Sequence, residues 1–438
     1  MQSIESSSRI VIIGAGCFGI STAYHLLKRA YTCVTVLDKS PMLPAPDAAS
    51  TDINRMVRSS YSDPFYNKLC RQAIAAWNDQ AEWPGVYHES GVLMGGVGND
   101  PYTDAAYKTD LAMGARVQDL PDNTAIQSVL PSRVRTGLFK GYISWDGGWV
   151  DAAKATSLMI DKVQAMGGQV YAGKAVRKLV RENSRTAGVE CADGTTFKAD
   201  FVIIATGSWT ASNFPELRLQ ETCVAAGQSV VTMQLTPEEG DQYRDCPCMV
   251  NYKTGFYIFP PNKDNILKMG KHCGGHINPV VIGQSKSSIS TPRTLSSHGD
   301  DGLRVPKTML HDIRALLSTT YPDLSKKPFA TTRLCWYTDT PDEDWLIGYY
   351  PDDTGLVIAT GGSGHAYKFL PVLGQITADL VSGTLDPSVV KKFAVDRAFV
   401  PHATTRSPSK TEILRLSDLC SAEDLGVPPE VTMERSRL

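Results

Sequence analysis

The sequence lacks any long apolar run, any large excess of charge of one sign and any repeated short cysteine spacing. No uninterrupted hydrophobic stretch approaches the roughly 20 residues needed to span a bilayer, so no membrane-crossing helix is expected and the chain reads as soluble. Lysines and arginines number 44 against 46 aspartates and glutamates, a formal charge of −2. So small an excess gives no electrostatic ground for nucleic acid or an acidic membrane as partner, and a small molecule is the default ligand. The ten cysteines are scattered. No basic stretch followed by an apolar segment opens the chain, so a secreted disulfide framework is not expected and the compartment reads as reducing. Cys246 and Cys248 form a lone C-x-C that no second Cys or His pair answers at zinc spacing, so it reads as chance and no metal site is expected. There is no internal repeat at solenoid or propeller period, and no low-complexity tract beyond one Ser/Gly/Pro-rich loop at about 283 to 306.

What is present begins with RIVII at 9 to 13, followed by GAGCFG at 14 to 19 and an apolar helical pattern through Ala23, Leu26 and Leu27. This is strand, glycine turn, helix. In such a turn Gly14 permits the sharp bend, Gly16 lets a pyrophosphate approach the backbone at the helix N-terminus, and Gly19 lets the helix pack on its strand. A second strand, 33 to 37, ends at Asp38, whose carboxylate can accept hydrogen bonds from a ribose. The spacing points to a dinucleotide without choosing between NAD and FAD.

Arg55 and Arg58 lie three apart. By spacing alone they read as two solvated surface arginines, with a shared cleft as the alternative. Residues 65 to 83 show helical periodicity, 85 to 145 read as short strands and turns, and a helix is expected to about Ala165. ADFVIIATGSW at 199 to 209 reads as a buried strand running into a glycine turn at Gly207, either beside a dinucleotide or as an ordinary sheet strand. Between 216 and 330 the pattern becomes β-rich, with strands at 229 to 234, 256 to 259 and 265 to 270, then a helix at 308 to 320. The loop at 283 to 306 is long enough to be a lid or an excursion. Lys268 sits among Ile266, Leu267 and Met269; lysine is costly to bury, so it either has a partner and a task or is turned outward by strand alternation. The charged tail from about 405 is expected to wrap the surface or fray. Its last residues, Ser436, Arg437 and Leu438, are a variant of the S-K-L peroxisomal address.

Taken together, GAGCFG with Asp38, the strand-to-ATG turn, LCWYTDTPDEDWLIG at 334 to 348 and GGSGHAYKF at 361 to 369 resemble the monomeric sarcosine oxidase family of flavoproteins. That family includes pipecolate and saccharopine oxidases and the fungal fructosyl amino acid oxidases, or amadoriases. The resemblance covers about residues 9 to 400 and implies an α/β fold. A Rossmann-like FAD-binding domain of the glutathione-reductase/p-hydroxybenzoate-hydroxylase type (9–85, 146–215 and 331–400) would be interleaved with a β-rich α+β substrate domain (86–145 and 216–330), followed by the tail 401–438.

The resemblance also implies roles. Cys335 would join the flavin 8α-methyl through a thioether. Gly14, Gly16, Gly19, Asp38, Lys39, Ser50, Arg55, Val176, Gly207, Gly362, Gly364 and His365 would bind FAD, Arg55 supporting the attachment. Lys268 would face flavin N5 through a water and assist O2 reduction, while His272, Tyr257 and Tyr337 line the amine pocket. Arg58 and Lys368, the latter also near the cofactor, would hold the substrate's carboxylate. His272 stands where the amadoriase branch has a sugar-binding glutamate, although the Ser/Pro-rich insertion and the terminus resemble fungal members. The expected activity is oxidation of N-substituted or cyclic secondary α-amino acids by a monomer, yielding hydrogen peroxide in the peroxisome. The alternatives are an amadoriase, a biosynthetic amine oxidase whose iminium is trapped by ring closure, and a non-catalytic nucleotide-binding protein.

Overall fold

Alternate residues of the strand Ile10–Ile13 feed two different cores, and this decides what lies on each side of its sheet. Ile10 and Ile12 pack with the helices Cys17–Lys28, Ala152–Ala165 and Leu370–Val381 on one side. Val11 and Ile13 pack on the other with Leu179, Val189 and Cys191 of a three-stranded meander. A strand covered on both faces reads as a continuous β-branched run, which is why neither RIVII nor FVII alternates with polar residues.

The computed structural model describes residues 5–96, 100–282, 288–400 and 410–426. The sheet has six strands in the order Leu346–Tyr350, Asp353–Thr360, Phe201–Ile204, Ile10–Ile13, Val34–Leu37, Gln169–Tyr171. Neighbours are parallel except for the first pair, which is an antiparallel hairpin. This is the Rossmann-like α/β arrangement that the glycine turn implies.

A second, ten-stranded sheet is organised on the long strand Val224–Gln234. Thr331–Asp339 pairs along it from Val224↔Asp339 to Thr232↔Thr331, and Ile266–Lys271 pairs from Val230↔Gly270 to Gln234↔Ile266. The strand bearing Cys335 and the strand bearing Lys268 are therefore held in register by one common neighbour. Leu334, Trp336, Leu267 and Met269 face a core closed by the helix Lys307–Thr320. Alternation then turns Cys335, Tyr337 and Lys268 the other way.

Several expectations need correction. The segment from 331, expected with the nucleotide-binding part, enters the second sheet first and crosses to the parallel sheet only at Leu346–Tyr350. The stretch read as short strands and turns contains two helices, Pro101–Ala112 and Asn123–Ser128, capped by Asp100 and Asp122 whose carboxylates accept from Thr103 and Ala125. The helix read over 65 to 83 is Pro64–Trp77. The Ser/Gly/Pro-rich loop is ordered structure from 288, with the strand Ser288–Ser290, the helix Leu295–His298 and the 3₁₀ turn Gly299–Leu303. Its residues 283–287, and the terminal tripeptide 436–438, lie outside the described residues. Glu412–Ile413 joins the edge of the second sheet beside His276–Ile277, so this part of the tail wraps. Cys246 and Cys248 pack in two different apolar clusters.

Candidate active site

At the carboxyl end of Ile10–Ile13 the backbone turns through Gly14 at φ +106°, and a Cβ there would lie 2.5 Å from the Ala205 carbonyl oxygen. Only glycine fits. The turn delivers the helix Cys17–Lys28, whose first residue donates its N–H to Ser50 Oγ at 2.9 Å; Gly16 gives it no side-chain cap. Asp38, just after Val34–Leu37, accepts from the Ala15 and Ser40 amides, each at 2.8 Å. These groups border one cavity of about 780 Å³ that continues past Lys39, Val176 and Gly207 to the second sheet. Lys39 lies over the Trp209 ring at 3.8 Å.

The chemistry-bearing side chains gather at the other end. Lys268 is 1% exposed; its Nζ donates to the Asn54 carbonyl at 2.8 Å and pairs with Asp52 at 2.9 Å. Asp52 also pairs with Arg55, whose second Nη donates to the Ala49 carbonyl at 2.6 Å and approaches Cys335 Sγ at 3.3 Å. Burial opposes ionisation of Asp52, but Arg55, Lys268 and Arg333 outweigh it and hold the carboxyl below the usual carboxylate range. For Lys268 burial wins: even with Asp52 in contact, desolvation, helped by Arg55, brings the ammonium down to about 8.

Two further basic side chains face the cavity. Arg58, 6% exposed, donates from Nη1 to the Ser60 carbonyl at 2.5 Å and sits against the rings of Tyr61 and Tyr252, at 4.9 and 5.0 Å. Lys368 Nζ donates to the Tyr61 hydroxyl at 2.9 Å and the His365 carbonyl at 2.7 Å. Among the described residues neither has a carboxylate within ion-pair distance. Between these groups lie Tyr257, His272 and Tyr337, the last two with ring centroids 5.7 Å apart. Gly364 (φ +75°) closes over them; a Cβ there would fall 2.3 Å from the Tyr337 ring and 2.8 Å from the His272 ring.

Every cofactor- and substrate-site residue expected from the sequence borders this cavity except Gly19, which packs the helix on the turn: a Cβ there would meet the Gly14 oxygen at 1.9 Å. Arg55 and Arg58 are not solvated surface arginines. Arg55 begins the strand Arg55–Val57, which pairs with Gly148–Val150, and Arg58 follows directly after it and is buried. Sequence reasoning missed Asp52, Tyr61 and Trp209. An acidic residue three positions before Arg55 was the available signal for Asp52.

The profile of the FAD dependent oxidoreductase family matches residues 9–380 of this chain. L-saccharopine oxidase of Schizosaccharomyces pombe is 29% identical over 403 residues, covering 86% of this chain and 91% of that protein. Peroxisomal sarcosine oxidase of Homo sapiens is 25% identical, over 86% of this chain and 93% of its own. Among solved structures, fructosyl amine:oxygen oxidoreductase (Amadoriase I) from Aspergillus fumigatus is similar with a TM-score of 0.81 and 27% identity, covering 96% of this chain and 97% of that one.

Because the Asp52 carboxyl is depressed in the folded chain, its contribution is complete above the unfolded value of about 3.9 and is lost as pH falls from there toward the folded value. Asp52→Asn is expected to lower the unfolding free energy by roughly 3–5 kcal/mol at neutral pH, since it leaves buried cations unpaired. Urea unfolding of both proteins across pH checks this. The gap should narrow below about pH 4; a small gap that does not change with pH would show that Asp52 does not neutralise Arg55 and Lys268.

Proposed function

The chain belongs to the family of FAD dependent oxidoreductases, and we propose that within it the protein is an oxidase of N-substituted or cyclic secondary α-amino acids. The carrying observation is the pair of buried basic side chains, Arg58 and Lys368, which face one cavity with no carboxylate within ion-pair distance of either among the described residues. Two such groups call for an anion from outside, and a planar carboxylate suits the arginine fork, with the lysine as a second point charge once protonated.

The residues fit FAD. The helix N-terminus after Gly16, which brings no side chain of its own, and the Gly14 bend suit the pyrophosphate, Asp38 is the residue proposed for the ribose, and the cavity, long enough to reach both sheets, lies within the roughly 300–1,000 Å³ of small-molecule sites. Cys335, buried on the cavity face beside Arg55, is the residue proposed to hold the flavin covalently. When bound, the flavin supplies the two-electron acceptor for a substrate C–H bond and returns those electrons to O2 as hydrogen peroxide.

The chain's own residues then have distinct tasks. Arg58 and Lys368 hold the carboxylate and so orient the α-nitrogen. Tyr257, His272 and Tyr337 wall the amine pocket, with Gly364 closing it against water. No carboxylate other than Asp38 and Asp47 borders the cavity among the described residues, and both belong to its nucleotide end. At the cationic end an ammonium is disfavoured, so the reacting nitrogen is held neutral. Lys268, kept charged in part by Asp52, offers O2 a cation that stabilises negative charge as it develops. The terminal Ser436, Arg437 and Leu438 are proposed as a peroxisomal address, suited to a peroxide-forming enzyme.

Peroxide release from a panel of sarcosine, pipecolate, an N-methyl aromatic amino acid and fructosyl-valine tests the reading. Turnover of one of the first three is expected; turnover of fructosyl-valine alone would make the protein an amadoriase, and release from none would remove the oxidase assignment. Arg58→Ala should raise the apparent binding constant of carboxylate inhibitors at least tenfold, because one unpaired charge costs about 2–5 kcal/mol; unchanged binding would reject the clamp.

For the attachment, acid precipitation should give a yellow pellet, and Cys335→Ala a colourless pellet with flavin in the supernatant. A colourless pellet from the unmodified protein rejects the thioether. Lys268→Met is expected to slow reoxidation by O2 far more than anaerobic reduction, measured by stopped flow. Equal slowing would reject that task.

A further inference from the structure

The hydrogen bonds around Lys368 fix more than its position. His365 Nε2 lies 2.9 Å from the Glu343 carbonyl, which can only accept, so a neutral His365 carries its proton there. Its Nδ1 then accepts from the Tyr61 hydroxyl at 3.2 Å, and the Tyr61 oxygen accepts from Lys368 at 2.9 Å. With the His365 carbonyl as second acceptor, two N–H bonds of Nζ are committed to the protein. The remaining position is left for the cavity that Lys368 lines, either as an amine lone pair or as an ammonium N–H.

The surroundings favour the lone pair. Arg58 and Lys368 sit against the same Tyr61 ring, at 4.9 and 5.3 Å from its centre, so a second cation would share a small buried space with the first. The buried carboxylate of Asp110 is turned to Ser59 and Asn67, at 2.8 Å each, and Cys70 is the other titratable group facing Lys368 from the helix Pro64–Trp77. Burial first, then repulsion by Arg58, push the Lys368 ammonium well below its ordinary range.

We propose that Lys368 takes the proton of the substrate's ammonium. The amino acid enters as a zwitterion, its carboxylate settles between Arg58 and Nζ, and one proton moves from the substrate nitrogen to Nζ, directly or through a water. The substrate N–H bond breaks with its electron pair kept on nitrogen, and the Nζ lone pair forms the new N–H bond, so net charge does not change. The transfer yields the neutral amine that oxidation needs and creates the second cation that the carboxylate needs. The proposal rests on the carboxylate clamp argued above.

Calorimetric proton balance on the FAD-loaded protein tests it, comparing two buffers of different ionisation enthalpy at mildly alkaline pH. The probe is a carboxylate analogue in which a thioether sulfur replaces the nitrogen, bringing the anion without a proton to give. Binding is expected to draw close to one proton from the buffer, and Lys368→Arg, which keeps the cation but cannot accept a proton, should bind with almost none. Binding to the unmodified protein without uptake would overturn the proposal and leave the clamp standing. Uptake that persists in Lys368→Arg would assign the proton to another group. Failure of the analogue to bind at all removes the clamp and the proposal together. A second readout is anaerobic flavin reduction against pH: in Lys368→Arg the rate should fall about tenfold per pH unit below the substrate's amine pKa, where the unmodified protein stays flatter. Coincident profiles would also overturn the transfer.

Discussion

Asp52 divides one carboxylate between Lys268 and Arg55, with Arg333 in the same field, and much of the site depends on that division. A lysine 1% exposed at the middle of a sheet keeps its charge only with such a partner. Arg55, fixed on its other side by the Ala49 carbonyl, is in turn set against Cys335. One side chain thus governs both the cation proposed to face O2 and the cation beside the proposed attachment point. Arg58 and Lys368 are left outside this balance, which is why the proposed substrate carboxylate is placed there.

Topology brings these groups together from distant parts of the chain. The parallel sheet ends its strands at the glycine turn, Asp38 and Gly207, the edge where open α/β sheets bind ligands. The second sheet presents Cys335, Tyr337 and Lys268 to the same cavity because two strands of period two share Val224–Gln234 as neighbour. A slip of one residue in either pairing would turn Lys268 or Cys335 into the apolar core behind.

The parts of this legible in the sequence are those where local chemistry leaves little choice. Gly14 is dictated by its own backbone, and the RIVII and FVII runs declare burial on both faces. Lys268 stood out as a charge inside an apolar strand. Arg58 did not, because an arginine in a polar stretch looks the same whether it faces water or a cavity; only its tertiary contacts, with the Ser60 carbonyl and the rings of Tyr61 and Tyr252, decide. The helix Pro101–Ala112 was missed although Asp-Pro at its start is a capping signal, since its apolar face is too narrow to stand out over the surrounding turns. The roles of Cys335 and Lys368 came from resemblance, because nothing in a cysteine or lysine alone announces a flavin or a carboxylate.

One link was beyond either kind of reading, and it shows how far from the cavity its geometry is set. Arg397 pairs with Asp342 at 2.7 Å and donates to the carbonyls of Asp344 and Trp345 at 2.9 and 3.0 Å, bracing the turn between the strands Thr331–Asp339 and Leu346–Tyr350. Glu343 in that turn, at φ +60°, offers the carbonyl that fixes the His365 tautomer. His365 orients Tyr61, and Tyr61 orients Lys368. Rotation of the turn would free Nδ1 and Nε2 of His365 to exchange roles, and the Tyr61 oxygen would no longer be reserved for Lys368. The proton-accepting position of Nζ is therefore a property of the whole braced turn, and the acidic residues of TPDEDW serve the cavity without lining it.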